Sequence, residues 1–313
     1  MTSMDTSSAA VYSAPRAQTI RRALVDGAQR LGAARIDSAR LDAEVLMCHA
    51  LGVKKSHLYV SLDEPLEPTA RHRFGDFLIR RLRRQPVAYI TGCQEFWSLD
   101  FLVTPDVLIP RPETERLVEI SLECADVFDR DLPLRILDIG TGSGAIAVTL
   151  AKELPRAQVV ATDISVAALE IARDNAARHR VADRVQFRAS NLLNSIRERE
   201  FHLIVSNPPY VESEELAALA PEVSQWEPRT ALDGGLDGLD YYRGIIAQGF
   251  RHLLPNGALI MEIGASMAGE IAELLSAAGE YTLPLIYQDY ARKDRVIVAQ
   301  TLAASSNFAW SLS

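Results

Sequence analysis

The tetrapeptide Asn207-Pro208-Pro209-Tyr210 has the residue types needed to hold a planar amino group. The Asn207 side-chain oxygen and the Pro208 carbonyl are two acceptors that can receive both hydrogens of an NH2 group. Tyr210 can lie flat against that group, and the two prolines fix φ at consecutive positions, which holds the asparagine in place. We therefore predict a site for a substrate NH2 group. An Asn-Pro turn that only closes a strand is the structural alternative.

A second candidate site is the glycine-rich turn Asp138-Ile-Gly140-Thr-Gly142-Ser-Gly144. Glycine also serves ordinary tight turns, so the turn alone is weak evidence. Here it follows a predicted strand and opens a predicted helix, and Asp163 ends the next strand, where a carboxylate can bind both hydroxyls of a ribose. The spacing G-x-G-x-G differs from that of dinucleotide-binding turns. It favours a nucleoside with a short amino-acid tail, which describes S-adenosylmethionine; a nicotinamide cofactor is the alternative.

The elements that position these residues begin near residue 134, where short apolar strands alternate with helices. This alternation is typical of a parallel sheet with helices on both faces. The predicted strands span residues 135–139, 159–163, 185–187, 202–205 and 258–263, followed by a closing pair at 282–288 and 295–301. Ligands bind at the carboxyl ends of strands in such sheets, which is where Asn207 and Asp163 stand. Residues 212–240 form a long connection, and loops of that length are usually functional or mobile.

Residues 17–85 have helical periodicity and are predicted to form a small helical domain. Ser38 is expected to cap a helix with Leu41 and Val45 on its apolar face, and Gly52 to end it in the left-handed conformation. The next helix, predicted from Thr69, carries six arginines and one aspartate. These are Arg71, Arg73, Arg80, Arg81, Arg83, Arg84 and Asp76. Such a charge run indicates either a solvated helix face or a docking surface for an acidic partner.

Residues 86–111 are predicted to be a linker with a β-hairpin, because residues 87–104 alternate apolar and polar side chains after Pro86. Glu113 and Glu115 follow in the first turn of a helix, where negative charge is favoured. Arg111, between two prolines, has no such structural explanation and is predicted to face the cofactor or the substrate. The remaining divisions are a leader at 1–16, a catalytic domain at 112–302 and a tail at 303–313.

The composition of the 313-residue chain excludes several classes of protein. Three cysteines without paired spacing argue against a disulfide framework and a zinc site, and we expect no metal. The net charge of −8 disfavours general binding to duplex nucleic acid, so no stable nucleic-acid binding is expected. No apolar run approaches the length of a membrane span, and residues 1–16 lack the apolar core of a secretory signal. We expect a cytoplasmic protein.

With its sheet pattern and N-P-P-Y motif, the chain resembles class I S-adenosylmethionine-dependent methyltransferases. Outside that motif the resemblance narrows to the HemK/PrmC family, over roughly residues 17–301. It is carried by the segments 85–92 (QPVAYITG), 95–97 (EFW) and 109–115 (IPRPETE). The resemblance implies an α/β fold with a mostly parallel Rossmann-like sheet, a small N-terminal helical domain and a connecting hairpin. It also implies methylation of the glutamine N5 in the Gly-Gly-Gln motif of class I peptide-chain release factors.

The resemblance further implies roles for individual residues. Those expected around the cofactor are Gly140, Thr141, Gly142, Ser143, Gly144, Asp163, Asn191, Leu192 and Asn207; those expected at the substrate are Asn207, Pro208, Pro209, Tyr210 and Arg111; and those expected in catalysis are Asn207, Pro208 and Tyr210. At two of these positions, Asn191 and Leu192, the family often has an acidic residue followed by an aromatic one. We therefore expect altered contacts with the adenine there, and not a lost site.

Three other functions compete with this interpretation. The first is an adenine-N6 methyltransferase that uses the same pocket on nucleic acid, which the net charge and the lack of an evident target-reading domain disfavour. The second is a glutamine methyltransferase of a ribosomal protein, which residues 111–115 match less well. The third is a scaffold that binds the cofactor without turnover, which the intact N-P-P-Y motif disfavours.

Overall fold

The computed structural model describes residues 18–129 and 132–302. This part of the chain divides into two compact units, with the boundary between Thr91 and Gly92. The boundary falls inside the predicted linker, residues 86–111. The predicted leader, residues 1–16, and the predicted tail, residues 303–313, lie outside the described residues.

The first unit is helical. Its helices are α1 (Ile20–Ala33), α2 (Ala39–Leu51), α3 (Lys55–Val60), α4 (Pro68–Leu82) and α5 (Val87–Thr91). Helix α1 begins after Thr19, whose side chain accepts a hydrogen bond from the Arg22 N–H, and α2 ends at Gly52 with φ of +70°, as predicted. Leu31, Leu46 and other apolar residues of α1, α2 and α4 form one buried cluster that holds the unit together.

Helix α2 turns a different face inward from the one that the sequence predicted. Leu41 and Val45 are exposed, and Ser38 stands at the N-cap without a side-chain capping bond. The buried face instead carries Leu46, together with Ala43, Met47, Ala50 and the carboxylate of Asp42. The prediction of the buried face rested on the spacing of apolar residues, and it was wrong because this face also carries a polar residue.

The partner of Asp42 is Arg81 of α4, so the predicted run of solvated arginines is wrong at this position. The Arg81 Nε donates to Asp42 Oδ2 at 2.7 Å, and Arg81 is 5% exposed. Arg80 donates to Gln85 Oε1 and to two backbone carbonyls, and Arg84 donates to the Arg35 carbonyl. At least three of the six arginines therefore make contacts inside the unit.

The second unit begins with a hairpin, β1 (Cys93–Phe96) and β2 (Leu99–Leu102), whose strands are antiparallel. It is shorter than predicted because residues 87–91 form α5. Phe96 and Phe101 are buried in the core of the second unit, and the Leu102 N–H donates to Asn175 Oδ1 at 2.7 Å. These contacts anchor the hairpin to the body of the second unit.

The body of the second unit is a seven-stranded sheet in the order β5-β4-β3-β6-β7-β9-β8. Its strands are β3 (Leu134–Ile139), β4 (Ala157–Asp163), β5 (Val185–Ala189), β6 (Phe201–Ser206), β7 (Leu253–Glu262), β8 (Leu285–Gln288) and β9 (Asp294–Gln300). Strands β3 to β7 are parallel, and β9 pairs antiparallel with both of its neighbours, β7 and β8. The strand order reverses between β3 and β6, and a crevice for a ligand opens at such a reversal.

Helices cover both faces of this sheet. They are α6 (Glu115–Ala125), α7 (Ala145–Glu153), α8 (Val166–Arg178), α10 (Asp240–Gly249) and α11 (Ala268–Ala278), while the short α9 (Pro221–Ser224) lies in the long connection. Ile136 and Leu137, neighbours in β3, belong to different buried clusters because successive side chains of a strand point to opposite faces. No helix within residues 18–129 or 132–302 is long and apolar enough to cross a membrane.

The buried Asp42–Arg81 pair yields a prediction about stability. Arg81→Ala leaves the Asp42 carboxylate buried without its charged partner, so we expect unfolding of the chain to become easier by about 3–5 kcal/mol. The exposed Arg73 on the same helix is the matched control, and Arg73→Ala should change stability by less than about 0.5 kcal/mol. Urea unfolding followed by circular dichroism measures both. Equal stability of the two variants would show that the buried pair is not required.

Candidate active site

The cleft lies at the carboxyl ends of β3, β4 and β6, in a space of about 770 Å³ that is open to solvent. Strand register explains why residues distant in sequence meet there. Ile139 pairs with Thr162 on one side and with Ser206 on the other, and Ser206 pairs with Met261. The next residues of the four strands therefore stand in one row, namely Asp163, Gly140, Asn207 and Glu262.

The three glycines of the turn have positive φ but different surroundings. At Gly140 (φ +74°) and Gly142 (φ +55°), no heavy atom lies within 4 Å of the position that a Cβ would occupy. Both line the cleft, so their backbone is open to a ligand. At Gly144 (φ +81°), a Cβ would lie 3.1 Å from the Ala172 Cβ, so this glycine allows α7 and α8 to pack closely.

Beneath the turn, Asp138 is completely buried. Its Oδ2 accepts a hydrogen bond from the Thr141 hydroxyl at 2.6 Å, and burial raises the pKa of this carboxyl to about 7. Thr141 and Ser143 point away from the cleft lining, because the hydroxyl of Thr141 is used by Asp138 and Ser143 is 3% exposed. Their contribution to the turn is through the backbone.

Asp163 lines the cleft at the end of β4, and the backbone holds its carboxylate on both sides. The Gly142 N–H donates to Oδ2 and the Ser165 N–H donates to Oδ1, each at 2.9 Å. Burial raises the pKa of Asp163, while these backbone donors oppose that shift. Since each carboxylate oxygen has a second lone pair, both can still accept from a ligand hydroxyl.

Asn191 and Leu192 also line the cleft. Leu192 has φ of +50°, a conformation uncommon outside glycine, and its side chain fills the space above Gly244 of α10. A Cβ at position 244 would lie 2.4 Å from Leu192 Cδ1. Tyr241 of the same helix also lines the cleft, a residue that sequence reasoning missed because it reads as an ordinary helical position.

Asn207 follows β6 and lines the cleft together with Pro208 and Pro209. Its Nδ2 donates to the Thr114 hydroxyl at 3.1 Å, and that hydroxyl donates to Glu262 Oε2 at 2.7 Å. Glu262 is 2% exposed, and burial raises the pKa of its carboxyl to about 7. Thr114 lies within the motif at 109–115, but no sequence signal connects Glu262 to it.

Tyr210 and Arg111 are not among the residues that line the cleft. Tyr210 packs against the apolar cluster on the α10 side of the sheet, and burial raises the pKa of its hydroxyl. Arg111 forms an ion pair with the buried carboxylate of Glu227, which also accepts a hydrogen bond from the Ile109 N–H. The contacts of the predicted Arg111 with cofactor or substrate therefore stay a prediction, and its observed partner is Glu227.

That ion pair fastens the segment before α6 to the long connection at residues 212–240. The connection contains α9 and a 3-10 turn at Arg229–Ala231, and Ser213 donates to Asp233 Oδ1 at 2.6 Å across its base. From it, Pro228, Thr230 and Ala231 reach the cleft. The connection is thus a folded wall of the site.

Comparisons with known proteins agree with this architecture. Residues 22–92 match the PrmC N-terminal domain, and residues 124–223 match the methyltransferase small domain. The hMettl16 catalytic domain, solved in complex with MAT2A 3'UTR hairpin 6, shares the fold at a TM-score of 0.52 and 17% identity over 73% of this chain and 83% of that chain. The protein is a class I S-adenosylmethionine-dependent methyltransferase, which confirms the predicted fold class and cofactor.

The family is shown by close relatives. The chain is 45% identical to the release factor glutamine methyltransferase of Cereibacter sphaeroides, over 88% of this chain and 96% of that protein. It is 43% identical to the protein of the same name from Moorella thermoacetica, over 90% and 98%. A bifunctional methyltransferase of Rickettsia conorii is 36% identical over 93% of this chain and 59% of its own length. The chain belongs to the release factor glutamine methyltransferase family.

The position of Asp163 yields a prediction about the cofactor. Asp163→Ala removes an acceptor for ribose hydroxyls, and hydrogen bonds to a charged acceptor contribute roughly 1.5–3 kcal/mol each. We expect calorimetric titration to show S-adenosylmethionine binding weakened by at least tenfold while the chain stays folded. Asp183→Ala is the control, because this exposed aspartate precedes β5 at the opposite end of the sheet. An unchanged dissociation constant in Asp163→Ala would contradict the assignment.

Proposed function

We propose that this enzyme transfers the methyl group of S-adenosylmethionine to the side-chain amide nitrogen, N5, of the glutamine in the Gly-Gly-Gln motif of class I peptide-chain release factors. The observation that carries the proposal is the state of Asn207. Its NH2 group is engaged by Thr114 inside the protein, so its carbonyl oxygen remains available in the cleft for a substrate N–H. The names of the relatives support the choice of a release-factor glutamine as the donor of that N–H.

In the proposed complex, residues at and after the strand ends would hold the cofactor. The turn from Gly140 to Gly144 would hold its methionine part, Asp163 would bind its ribose, and Asn191 and Leu192 would border its adenine. The next position in the row is Asn207, which with Pro208 receives the two hydrogens of the substrate amide. Pro209 lines the substrate side, and the ring of Tyr210 would have to turn toward the cleft to contact it.

The low nucleophilicity of the substrate nitrogen determines what the site has to do. A glutamine amide nitrogen is a poor nucleophile because its lone pair is delocalised into the carbonyl. Hydrogen bonds from its two N–H groups to Asn207 Oδ1 and the Pro208 carbonyl favour a pyramidal nitrogen and direct the lone pair into the cleft. When bound, the cofactor would supply a methyl group activated by its sulfonium, and its S–CH3 bond would break to give a neutral sulfide as the new N–C bond forms.

The residues of the chain contribute mainly by placement. Holding the reacting atoms about 3–3.5 Å apart and in line accelerates such a transfer, because the entropy of bringing them together is lost on binding and no longer adds to the activation barrier. No strong base is needed before attack, because the methylated nitrogen becomes acidic and loses its proton afterwards to water or a backbone carbonyl. The proposal places this reaction in the cytoplasm, with no stable attachment to nucleic acid or membrane.

The direct test is a methyl-transfer assay with radiolabelled cofactor on three substrates. We expect label in the intact release factor, none in a release factor whose Gly-Gly-Gln glutamine is changed to alanine, and none in adenine-containing DNA or RNA. Peptide mass spectrometry then locates the methyl group on the glutamine side chain. Label in the nucleic acid, or equal label in the two release factors, would refute the proposal.

Asn207 should matter for turnover more than for cofactor binding. Asn207→Ala removes the substrate-amide acceptor, so we expect kcat to fall by two or more orders of magnitude, the scale of about 3 kcal/mol seen when one preorganised partner of the transition state is lost. The affinity for the cofactor should fall much less. Asn194→Ala, at an exposed asparagine after β5, is the control. Normal turnover by Asn207→Ala would mean that Asn207 only closes the strand.

We also propose that the helical unit recognises the body of the release factor, while the cleft takes only the Gly-Gly-Gln loop. The arginines available for this are those that the unit leaves exposed, of which Arg71 and Arg73 lie on α4. Arg81 and Arg80 are excluded as test positions, because reversing them would break contacts inside the unit.

Reversal of Arg71 and Arg73 to glutamate should raise KM for the whole release factor and weaken the salt dependence of KM, since rim charges act through screened attraction. Turnover of a short Gly-Gly-Gln peptide should be unaffected. The matched control reverses Arg22 and Arg30, which are exposed on α1 and produce the same change in net charge. If both double variants behave alike at low salt, the arginines of α4 form only a solvated face.

A further inference from the structure

We propose that Thr114 and Glu262 are positioning residues that decide which end of the Asn207 amide faces the substrate. The inference rests on the proposed function, in which Asn207 must present its carbonyl oxygen to a substrate N–H. It concerns residues that never need to touch the substrate and that act through Asn207.

The hydrogen-bonded chain joins three distant parts of the sequence. Asn207 lies 93 residues from Thr114, and Thr114 lies 148 residues from Glu262. They come from the end of β6, the 3-10 turn at Pro112–Thr114 and the end of β7. Thr114 is 4% exposed and Glu262 is 2% exposed, so the bond between them is buried, while the bond from Asn207 to Thr114 is partly buried at the edge of the cleft. The donor–acceptor distances, 3.1 and 2.7 Å, are ordinary for N–H···O and O–H···O hydrogen bonds.

The direction of each hydrogen bond in this hydrogen-bonded chain follows from which groups can donate a hydrogen. A threonine hydroxyl has one hydrogen, and an ionised carboxylate can only accept. When Glu262 is ionised, the Thr114 hydrogen must point to Glu262, and the Thr114 oxygen must then accept from Asn207 Nδ2. Because an amide is planar, this fixes the Asn207 oxygen on the other branch, which leaves it available to the cleft that Asn207 lines. The reverse polarity would set the Asn207 NH2 against the substrate NH2, donor against donor.

Glu262 is the residue of the hydrogen-bonded chain that can gain or lose a proton. The charged and titratable groups that face it are Arg295 of β9, Arg111 and Glu113 before α6, Tyr210 after β6 and Tyr242 of α10. Burial raises the pKa of Glu262 to about 7, against the opposing effects of Thr114 and the arginines, and burial also raises the pKa of both tyrosines, which stay neutral.

The direction of the pH effect follows from this geometry. Above the pKa of Glu262 the carboxylate only accepts, and Asn207 is oriented for the substrate. As pH falls through about 7, Glu262 gains a proton that it can donate to Thr114, and the Thr114 hydrogen becomes free for Asn207 Oδ1. The productive orientation, and with it kcat, is therefore lost as pH falls through that pKa.

Substitutions of Thr114 test the contribution of its hydroxyl. Thr114→Val keeps the shape but removes the hydroxyl, so we expect kcat to fall by about 10²-fold, as for a misplaced catalytic group, with little change in KM and cofactor affinity. Thr114→Ser keeps the hydroxyl and should restore most of the rate. Thr149→Val is the matched control, because the buried hydroxyl of Thr149, on α7, has no hydrogen-bond partner among the described residues.

A double-mutant cycle separates positioning from a merely structural role. If Thr114 acts through Asn207, Thr114→Val should cost almost nothing further in the Asn207→Ala background. A structural role would make the two defects multiply and would lower the melting temperature in step with kcat. The pH profile of kcat should show a step near 7 in the wild type and none in Glu262→Gln. Multiplying defects, or an unchanged step in Glu262→Gln, would overturn the inference.

One measurement needs no substrate and keeps the two proposals distinguishable. The side-chain NH2 resonances of Asn207, assigned in ¹⁵N-labelled enzyme by their loss in Asn207→Ala, should shift with pH around 7. They should not do so in Glu262→Gln or Thr114→Val. If wild-type enzyme fails to methylate release factor while these resonances titrate as expected, the proposed substrate is wrong and the hydrogen-bonded chain stands. If they do not titrate, the inference fails whatever the substrate.

Discussion

The alignment of four strand ends in one row is the constraint on which the site depends. Parallel pairing of β3 with β4 and β6, and of β6 with β7, brings the residues after Thr162, Ile139, Ser206 and Met261 to the same level. A carboxylate, an open glycine backbone, an amide and a second carboxyl therefore stand side by side without any loop having to place them. A slip of one residue in any of these strands would turn the side chain after it toward the other face of the sheet.

Hydrogen bonding explains why two carboxyls are tolerated in the interior of the second unit. Asp138 and Glu262 are both buried, the pKa of each is raised to about 7 by burial, and each accepts from one threonine hydroxyl, at 2.6 and 2.7 Å. A neutral or singly bonded carboxyl costs far less to bury than an isolated charge. The two differ in their neighbours, because Asp138 supports the glycine turn whereas Glu262 is linked to Asn207.

Features that depend on residues close together in the sequence could be predicted. The alternating strands and helices, the glycine turn, and the placement of Asp163 and Asn207 at strand ends all follow from periodicity and turn chemistry. The pairs Thr114–Glu262 and Arg111–Glu227 did not, because they join residues more than 100 positions apart. The misassigned face of α2 and the buried Arg81 share one cause: an ion pair between helices places charge where an apolar pattern expects none.

The contact between Leu192 and Gly244 has a consequence for substitutions at these two positions. A Cβ at position 244 would meet Leu192 Cδ1, so alanine at 244 requires the end of the leucine side chain to move, and a bulkier residue needs more of the same space. The two positions lie on different elements, a strand-following turn and a helix, yet they share one volume. Mutations at 192 and 244 are therefore coupled: a smaller residue at 192 makes room for a side chain at 244, so the effect of a change at one position depends on the residue at the other.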